Sequence, residues 1–240
     1  VAAHAGGAPH NGVNALYAAN LALNAINALR ETFLDDDHIR VHPIITHGGD
    51  SVNAIPDTVR LESYVRGANM DAIMAVNKKV NRAIAATAAA MGAKAQIVDF
   101  PGYWVRKYDI NLMETMRDAM EQVLDQVKYK PGNWGTGCSD IGDIGAVMPT
   151  VHPTIGGAIG TGHGDNYYIA DPESACVKSA AAQLVCLVML LKDDAAKAKK
   201  VIAEYEPQFA SMADYFAYAD SIDKNIQAVI YEDDKAILTY

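Results

Sequence analysis

The segment Gly160-Thr161-Gly162-His163-Gly164-Asp165 sets an imidazole among glycines. Glycine at that density marks a backbone that approaches something closely or takes positive φ. An imidazole on such a loop is a candidate metal ligand or proton carrier, although an exposed loop histidine has the same appearance. Upstream, Ser139-Asp140-Ile141-Gly142-Asp143 spaces two carboxylates three residues apart. On a helix they share a face and suit binding a cation or orienting a histidine, or equally an N-cap with an acidic first turn. His4, in Ala3-His4-Ala5-Gly6-Gly7, has the chemistry to donate to a developing oxyanion. Asn53, in Val52-Asn53-Ala54-Ile55-Pro56, and Arg66, in Val65-Arg66-Gly67, together suit a grip on a carboxylate. Taken singly, each reads as well as a surface or capping residue.

Other chemistries are excluded more easily. The chain has no Ser-His-Asp elbow, phosphate loop or dinucleotide fingerprint; the glycines of 156–164 lack the lysine and helix start that a phosphate loop needs. His42 and His47, five apart on or after a strand, fall on opposite faces and do not form a joint metal site. Cys138, Cys176 and Cys186 form no CxxC pair and no disulfide framework, which fits a reducing, cytoplasmic setting. A net charge of −9 argues against nucleic acid and against an anionic membrane surface. The apolar stretch 175–191 contains Lys178 and Gln183 and falls short of the ~20 residues that cross a bilayer. It is expected as a buried helix against a sheet.

The elements that must position these residues follow from periodicity. Leu16, Leu21, Leu23, Ile26 and Leu29 predict a helix over 13–33, and a second amphipathic helix spans 70–91 and stops at Gly92. Residues 39–46 are β-branched, 58–66 alternate apolar with polar, and 94–100 read as a further strand. With the end of a strand at 1–3, the order is β-α-β-β-α-β, that of a ferredoxin-like sandwich of about 100 residues. Beyond it come a helix over 111–127, a loop at 130–135, a turn or short helix at 139–147, a strand within 150–159, the apolar helix 172–191 and a lysine-rich helix 195–205. The acidic, aromatic tail is expected to be helical to about residue 228.

Read together, the motifs resemble a known family. Ala2-Ala3-His4-Ala5-Gly6-Gly7-Ala8-Pro9 followed by Gly12-Val13-Asn14-Ala15 resembles the opening of the lid domain of clan MH metal-dependent amidohydrolases, the aminoacylase and peptidase family. Gly48-Gly49 with Asn53-Ala54-Ile55-Pro56, the strand ending in Arg66-Gly67, and Ser139 to Asp143 with Pro149-Thr150 are similar to its next signatures, in the family's order. The last of these looks closest to the aminobenzoyl-glutamate hydrolase branch. The resemblance covers roughly residues 1–200.

The resemblance implies an α/β (α+β) chain: a ferredoxin-like βαββαβ lid and dimerisation domain at 1–107, then at 108–240 the C-terminal portion of an α/β zinc-hydrolase catalytic domain. It implies that His163 holds a divalent metal, zinc first and manganese or cobalt as alternatives, with Asp140 and Asp143 orienting it. His4 would reach the partner subunit's active site and stabilise the tetrahedral oxyanion. Asn53 and Arg66 would hold the substrate's carboxylate, and Gly156 and Gly157 would line the pocket. The implied partners are a small amide substrate bearing a carboxylate and a second copy of the chain, a homodimer through the lid, with no nucleic acid and no membrane. The family's His-x-Asp motif and paired glutamates lie ahead of the lid, so the chain is expected to lack the N-terminal part of the catalytic domain and to be inactive alone. Two readings compete: a non-catalytic dimerisation or binding fragment of the same fold, and an unrelated small-ligand-binding α/β protein.

Overall fold

The computed structural model describes residues 1–132, 135 and 137–239. The expected loop at 130–135 includes Asn133 and Trp134, which lie outside the described residues. The chain forms two compact units, one made of Val1–Val105 with Phe216–Tyr240, the other of Arg106–Tyr215.

In the first unit, helix α1 (Ala15–Leu29) begins where the Asn14 side chain accepts from the Tyr17 backbone N–H at 3.1 Å, a cap that satisfies one orphan donor of the first turn. Ala18, Ala22 and Ile26 recur every fourth residue and are buried. Helix α2 (Met70–Ala90) starts the same way, with Asn69 accepting from Ala72 N at 2.8 Å, and buries Ala72, Val76 and Val80 on one face. It stops ahead of Gly92, whose φ of +71° a side chain would resist. Strands β1 (Arg40–His47) and β2 (Arg60–Arg66) pair antiparallel from Arg40↔Arg66 to His47↔Arg60, with an irregularity between Ile45 and His47. Ile26, Ile39, Val41, Ala72, Val76 and Val80 form one core. The Arg30 guanidinium donates to Val41 O at 2.9 Å and ties the end of α1 to β1.

The mixed helix-and-strand class stands, and the predicted order α-β-β-α-β after residue 13 is realised. The four-strand sheet is not drawn as expected. Residues 1–3 spend their backbone groups on Val13 and Ile55 and form no strand. Strand β3 (Gln96–Asp99) pairs with β6 (Lys224–Gln227), from Gln96↔Gln227 to Asp99↔Lys224, and not with β1 or β2. The tail is also corrected. Helix α6 (Met212–Ile222) ends well short of 228, and β6 is followed by a hairpin of β7 (Val229–Glu232) and β8 (Lys235–Leu238), turned at Asp233 with φ +52°. Ala228 and Val229 pack with Ala85, Ala88 and Ile97 in a second core. Residues 216–240 therefore group with the first unit, although the sequence division at 107/108 assigns them to the second. The buried Asn81 side chain donates to Asp99 Oδ2 at 2.6 Å and fastens α2 to β3.

In the second unit, helix α3 (Ile110–Glu121) is capped by Asp109, which accepts from Leu112 N at 2.7 Å. Short α4 (Ile141–Gly145) lies within the turn or short helix expected at 139–147, and β4 (Ala158–Ile159) pairs with β5 (Tyr168–Ile169) as a hairpin. Helix α5 (Ser179–Glu204) follows a wide turn over Glu173–Lys178. It is broken at Lys192–Ala195, where Asp193, Asp194 and Ala195 take φ near +55°, so the two helices expected at 172–191 and 195–205 are both recognisable. Met116, Ala119 and Cys186 make the core between α3 and α5.

The expectation that 175–191 is buried against a sheet is corrected. The helix rests on α3, and Leu184 and Val188 are each 64% exposed, with Val177, Leu187 and Leu191 exposed beside them. Counted from Glu173 to Glu204, it is long and apolar enough by length and composition to cross a bilayer, with the break at Lys192–Ala195 lying inside it.

Candidate functional site

The residues around His4 are held by backbone pairing. Val1 and Val13 exchange two hydrogen bonds, at 3.1 and 2.9 Å. Ile55 N donates to Ala3 O and Ala5 N to Asn53 O, both at 2.9 Å, and Ala15 N donates to Pro56 O at 3.0 Å. His4 thereby faces Ala54 in an isolated antiparallel bridge, and His4 and Asn53 occupy adjoining positions.

Two glycines make this approach possible. A Cβ on Gly12 would stand 2.8 Å from Ile55 Cδ1 and 3.0 Å from Ala3 Cβ. Gly49 has φ +120°, and a Cβ there would stand 2.7 Å from Pro56 Cγ, a conformation and a contact that only glycine accepts without strain. The pattern Gly48-Gly49 with Asn53-x-x-Pro56 is thus a packing device that sets the loop against which His4 is paired.

His4 itself closes a tight turn. Its carbonyl accepts from Ala8 N at 3.0 Å, and its Nδ1 accepts from Gly6 N at 3.2 Å and Gly7 N at 2.9 Å. In the sequence Gly6 and Gly7 stand out only as part of the motif around His4. No local feature of the sequence marks their amides as partners of the His4 ring. The Asn53 side-chain oxygen is engaged by the Ser51 hydroxyl.

Arg66 ends β2 opposite Arg40. Its guanidinium lies over the Tyr64 ring, 5.3 Å from the centroid, and its buried Nε has no hydrogen-bond partner among the described residues. A buried donor without a partner is costly, and an acceptor such as a carboxylate would satisfy it. Among the described residues no hydrogen bond joins Arg66 to His4 or Asn53.

The second unit carries the other expected residues. His163 sits at the tip of the β4–β5 hairpin with φ +66° and an exposed ring; histidine is among the side chains that tolerate this region. Gly160, φ +99°, would put a Cβ 2.1 Å from Asn166 O. The Asn166 side chain accepts from Thr161 N at 3.1 Å and holds the loop. Gly157 has φ +116°, its carbonyl accepts from Ala170 and Asp171, and a Cβ would lie 2.6 Å from Asp171 O. Its visible work is to join the hairpin to the following helix, whereas Gly156 faces open space. Hydrogen bonds from the Ser174 hydroxyl and backbone N–H hold the Asp171 carboxyl below its ordinary range.

Asp143, expected to orient a metal-binding histidine, accepts from the Tyr215 hydroxyl at 2.8 Å. Burial first, and then this hydrogen bond and the carboxylate charge, push the Tyr215 phenol up to about 12. The Tyr205 hydroxyl donates to Gly145 O at the other end of α4, and burial followed by the charge of Asp109 raises its phenol too. Asp140 precedes the first turn of α4, its carbonyl accepting from Asp143 and Ile144, with no side-chain cap. The two tyrosines were not singled out in the sequence, because their partners lie 60 and 72 residues away.

No group of three or more His, Cys, Asp or Glu side chains able to hold a metal occurs among the described residues. Among the described residues His163, at a hairpin tip, therefore belongs to no cluster that fits a tightly held metal. A shallow depression between α3 and α5 is lined by Gln122, Leu184, Val185, Val188, Met189 and Lys192, and none of the expected site residues takes part in it.

Residues 1–91 match the model of a peptidase dimerisation domain, M20_dimer. The Xaa-Arg dipeptidase of Mus musculus is 31% identical over 161 residues, which cover 63% of this chain and 36% of that protein. The Xaa-Arg dipeptidase of Homo sapiens is 28% identical over 158 residues, covering 63% and 35%. An uncharacterised hydrolase of Sinorhizobium fredii is 27% identical over 153 residues, covering 63% and 38%. The chain thus spans little more than a third of the length of the curated relatives it matches. The likeness is thus to a peptidase dimerisation domain over residues 1–91 and to two dipeptidases and a hydrolase over 63% of the chain.

Three substitutions test the packing. Gly49→Ala forces a side chain onto Pro56 at positive φ and is expected to cost about 2–3 kcal/mol in urea denaturation. Gly102→Ala, whose Cβ meets nothing within 4 Å, should stay within about 0.5 kcal/mol. Tyr215→Phe removes the bond to Asp143 and should cost about 1 kcal/mol at neutral pH. Because the folded phenol titrates higher than the unfolded one, that stabilisation is present below about pH 10. It is lost as pH rises toward about 12, so the gap between wild type and Tyr215→Phe should close over that window.

Proposed function

We propose that the chain supplies the lid and the C-terminal part of the catalytic domain of an M20-type, clan MH metal-dependent amidohydrolase that cleaves the amide bond of an N-acyl amino acid or dipeptide-like substrate bearing a carboxylate. The observation that carries this reading is the placement of His4: a backbone ladder holds its segment, and its Nδ1 accepts from two backbone amides, on a stretch that matches a peptidase dimerisation domain over residues 1–91. A donor fixed before reaction stabilises charge that develops on an amide oxygen without paying reorganisation. The partnerless, buried Arg66 Nε supports an anionic group on the substrate, and Asn53, adjoining His4, is the companion contact. The dipeptidase activity for which the mouse and human Xaa-Arg dipeptidases are named is compatible with a carboxylate grip; the aminobenzoyl-glutamate branch is an alternative within the same chemistry.

The chain acts as a homodimer through the first unit, with His4 serving the partner's cleft. His163 is one ligand of a divalent metal, zinc with manganese or cobalt as alternatives, and Asp140 and Asp143 shape the segment before it. Gly156 and Gly157 border the same loop. The described residues do not hold that metal by themselves, so the 240-residue chain is inactive alone. Three free cysteines and the acidic balance suit a cytoplasmic protein without nucleic-acid or membrane partners. The second reading, a non-catalytic dimerisation or binding fragment, is favoured by the same lack of a metal-ligand cluster among the described residues.

The isolated chain, incubated with zinc, manganese or cobalt, should leave N-acyl amino acids and dipeptides intact and should sediment as a dimer of 25.7 kDa subunits. The whole gene product should hydrolyse them. In it, His4→Ala should lower kcat about 10²–10³-fold, and Arg66→Ala should mainly raise KM. Failure of the whole gene product to cleave any carboxylate-bearing amide would leave the non-catalytic reading in possession.

A further inference from the structure

We infer that the backbone N–H groups of Gly6 and Gly7 set the tautomer of His4, and so make its Nε2–H the outward hydrogen-bond donor. The inference rests on the proposed role of His4 toward the oxyanion and adds what fixes that role.

Both amides point at one ring atom. Gly7 N lies 2.9 Å and Gly6 N 3.2 Å from Nδ1. A neutral imidazole has one N–H and one lone pair, and an N–H at Nδ1 would face two further N–H groups. Nδ1 therefore presents its lone pair, and the single proton sits on Nε2. The turn that aims the amides is closed independently by Ala8 N on the His4 carbonyl at 3.0 Å. The ladder from Ala3 and Ala5 to Ile55 and Asn53 holds the backbone on both sides of His4. The ring is thus oriented from its inner nitrogen, while its exposed edge carries the donor. Second contacts that fix a histidine's tautomer through its other nitrogen are how such rings are prepared for use.

Neither position excludes a small side chain. A Cβ on Gly7 would meet Nδ1 at 3.5 Å and one on Gly6 would meet it at 3.8 Å, both ordinary contacts. Gly7→Ala therefore keeps the amide and the ring, whereas Gly7→Pro deletes the shorter of the two hydrogen bonds. Gly6 and Gly7 are positioning residues, acting through His4.

The test is nitrogen NMR of the His4 ring in the 240-residue chain, at a pH where the ring is neutral. A pyridine-type Nδ1 with a pyrrole-type Nε2 is the expected result in wild type and in Gly7→Ala. A pyrrole-type Nδ1, or an even mixture in wild type, overturns the inference whatever the folding of any variant. In Gly7→Pro a population of the other tautomer should appear. In the whole gene product that variant should lose about tenfold in kcat with KM unchanged, and Gly7→Ala should restore it. If the tautomer is as stated but His4→Ala leaves hydrolysis unaffected, the oxyanion role fails and the assignment of the ring stands.

Discussion

The short backbone ladder between residues 3–5 and 53–55 is the constraint on which the rest of the first unit's surface chemistry depends. Each such hydrogen bond adds only about 1 kcal/mol net. Here the tie is repeated: Val1 with Val13, Ala3 with Ile55, Ala5 with Asn53, and Ala15 with Pro56. The two glycines at 12 and 49 let these segments come within contact distance of Ile55 and Pro56. Without that approach the segment carrying His4 would lose its backbone pairing to residues 53–55, and in the proposed role a group that must first find its orientation contributes little to a transition state.

The two units bury themselves very differently. In the first, α1 and α2 lay alternating small and branched residues over β1, and the returning tail completes a second core against β3. In the second, the core between α3 and α5 is three buried residues with a fringe of half-buried ones, and a row of large apolar side chains on α5 stays in solvent. Apolar rows of this size are seldom left bare on a finished surface. The acidic pair before the hairpin shows the same economy of means: Asp143 is spent on fastening α4 to Tyr215, and that role needs no cation.

Much of this was legible in the sequence. Helical period gave α1 and α2 nearly to their ends, Gly92 marked the stop of α2, and the charged interruption after Leu191 marked the break in α5. What was not legible depends on distance along the chain. Nothing local to Gln96 says that its strand partner is Gln227. The tail misled because the Ala- and Asp-rich stretch before Ile222 is helical and hides the hairpin behind it, although Val229-Ile230-Tyr231 and Ala236-Ile237-Leu238 around Asp233-Asp234 carry a turn signal. At the site, residue types suggested chemistry at His4, Asn53 and Arg66, yet the sequence could not say that Asn53 adjoins His4 or that two glycine amides grip its ring. Those facts belong to a turn and a bridge.

The central claim is that His4, prepared on one subunit, acts at the cleft of another. It is tested most directly by mixing two inactive forms of the whole gene product, His4→Ala and His163→Ala, and measuring hydrolysis after subunit exchange. In an isologous dimer the mixed species rebuilds one site, with His163 from the first subunit and His4 from the second, so activity should return to about a quarter of wild type. Mixtures that stay as inactive as their components, while mixed dimers are present, would contradict the account.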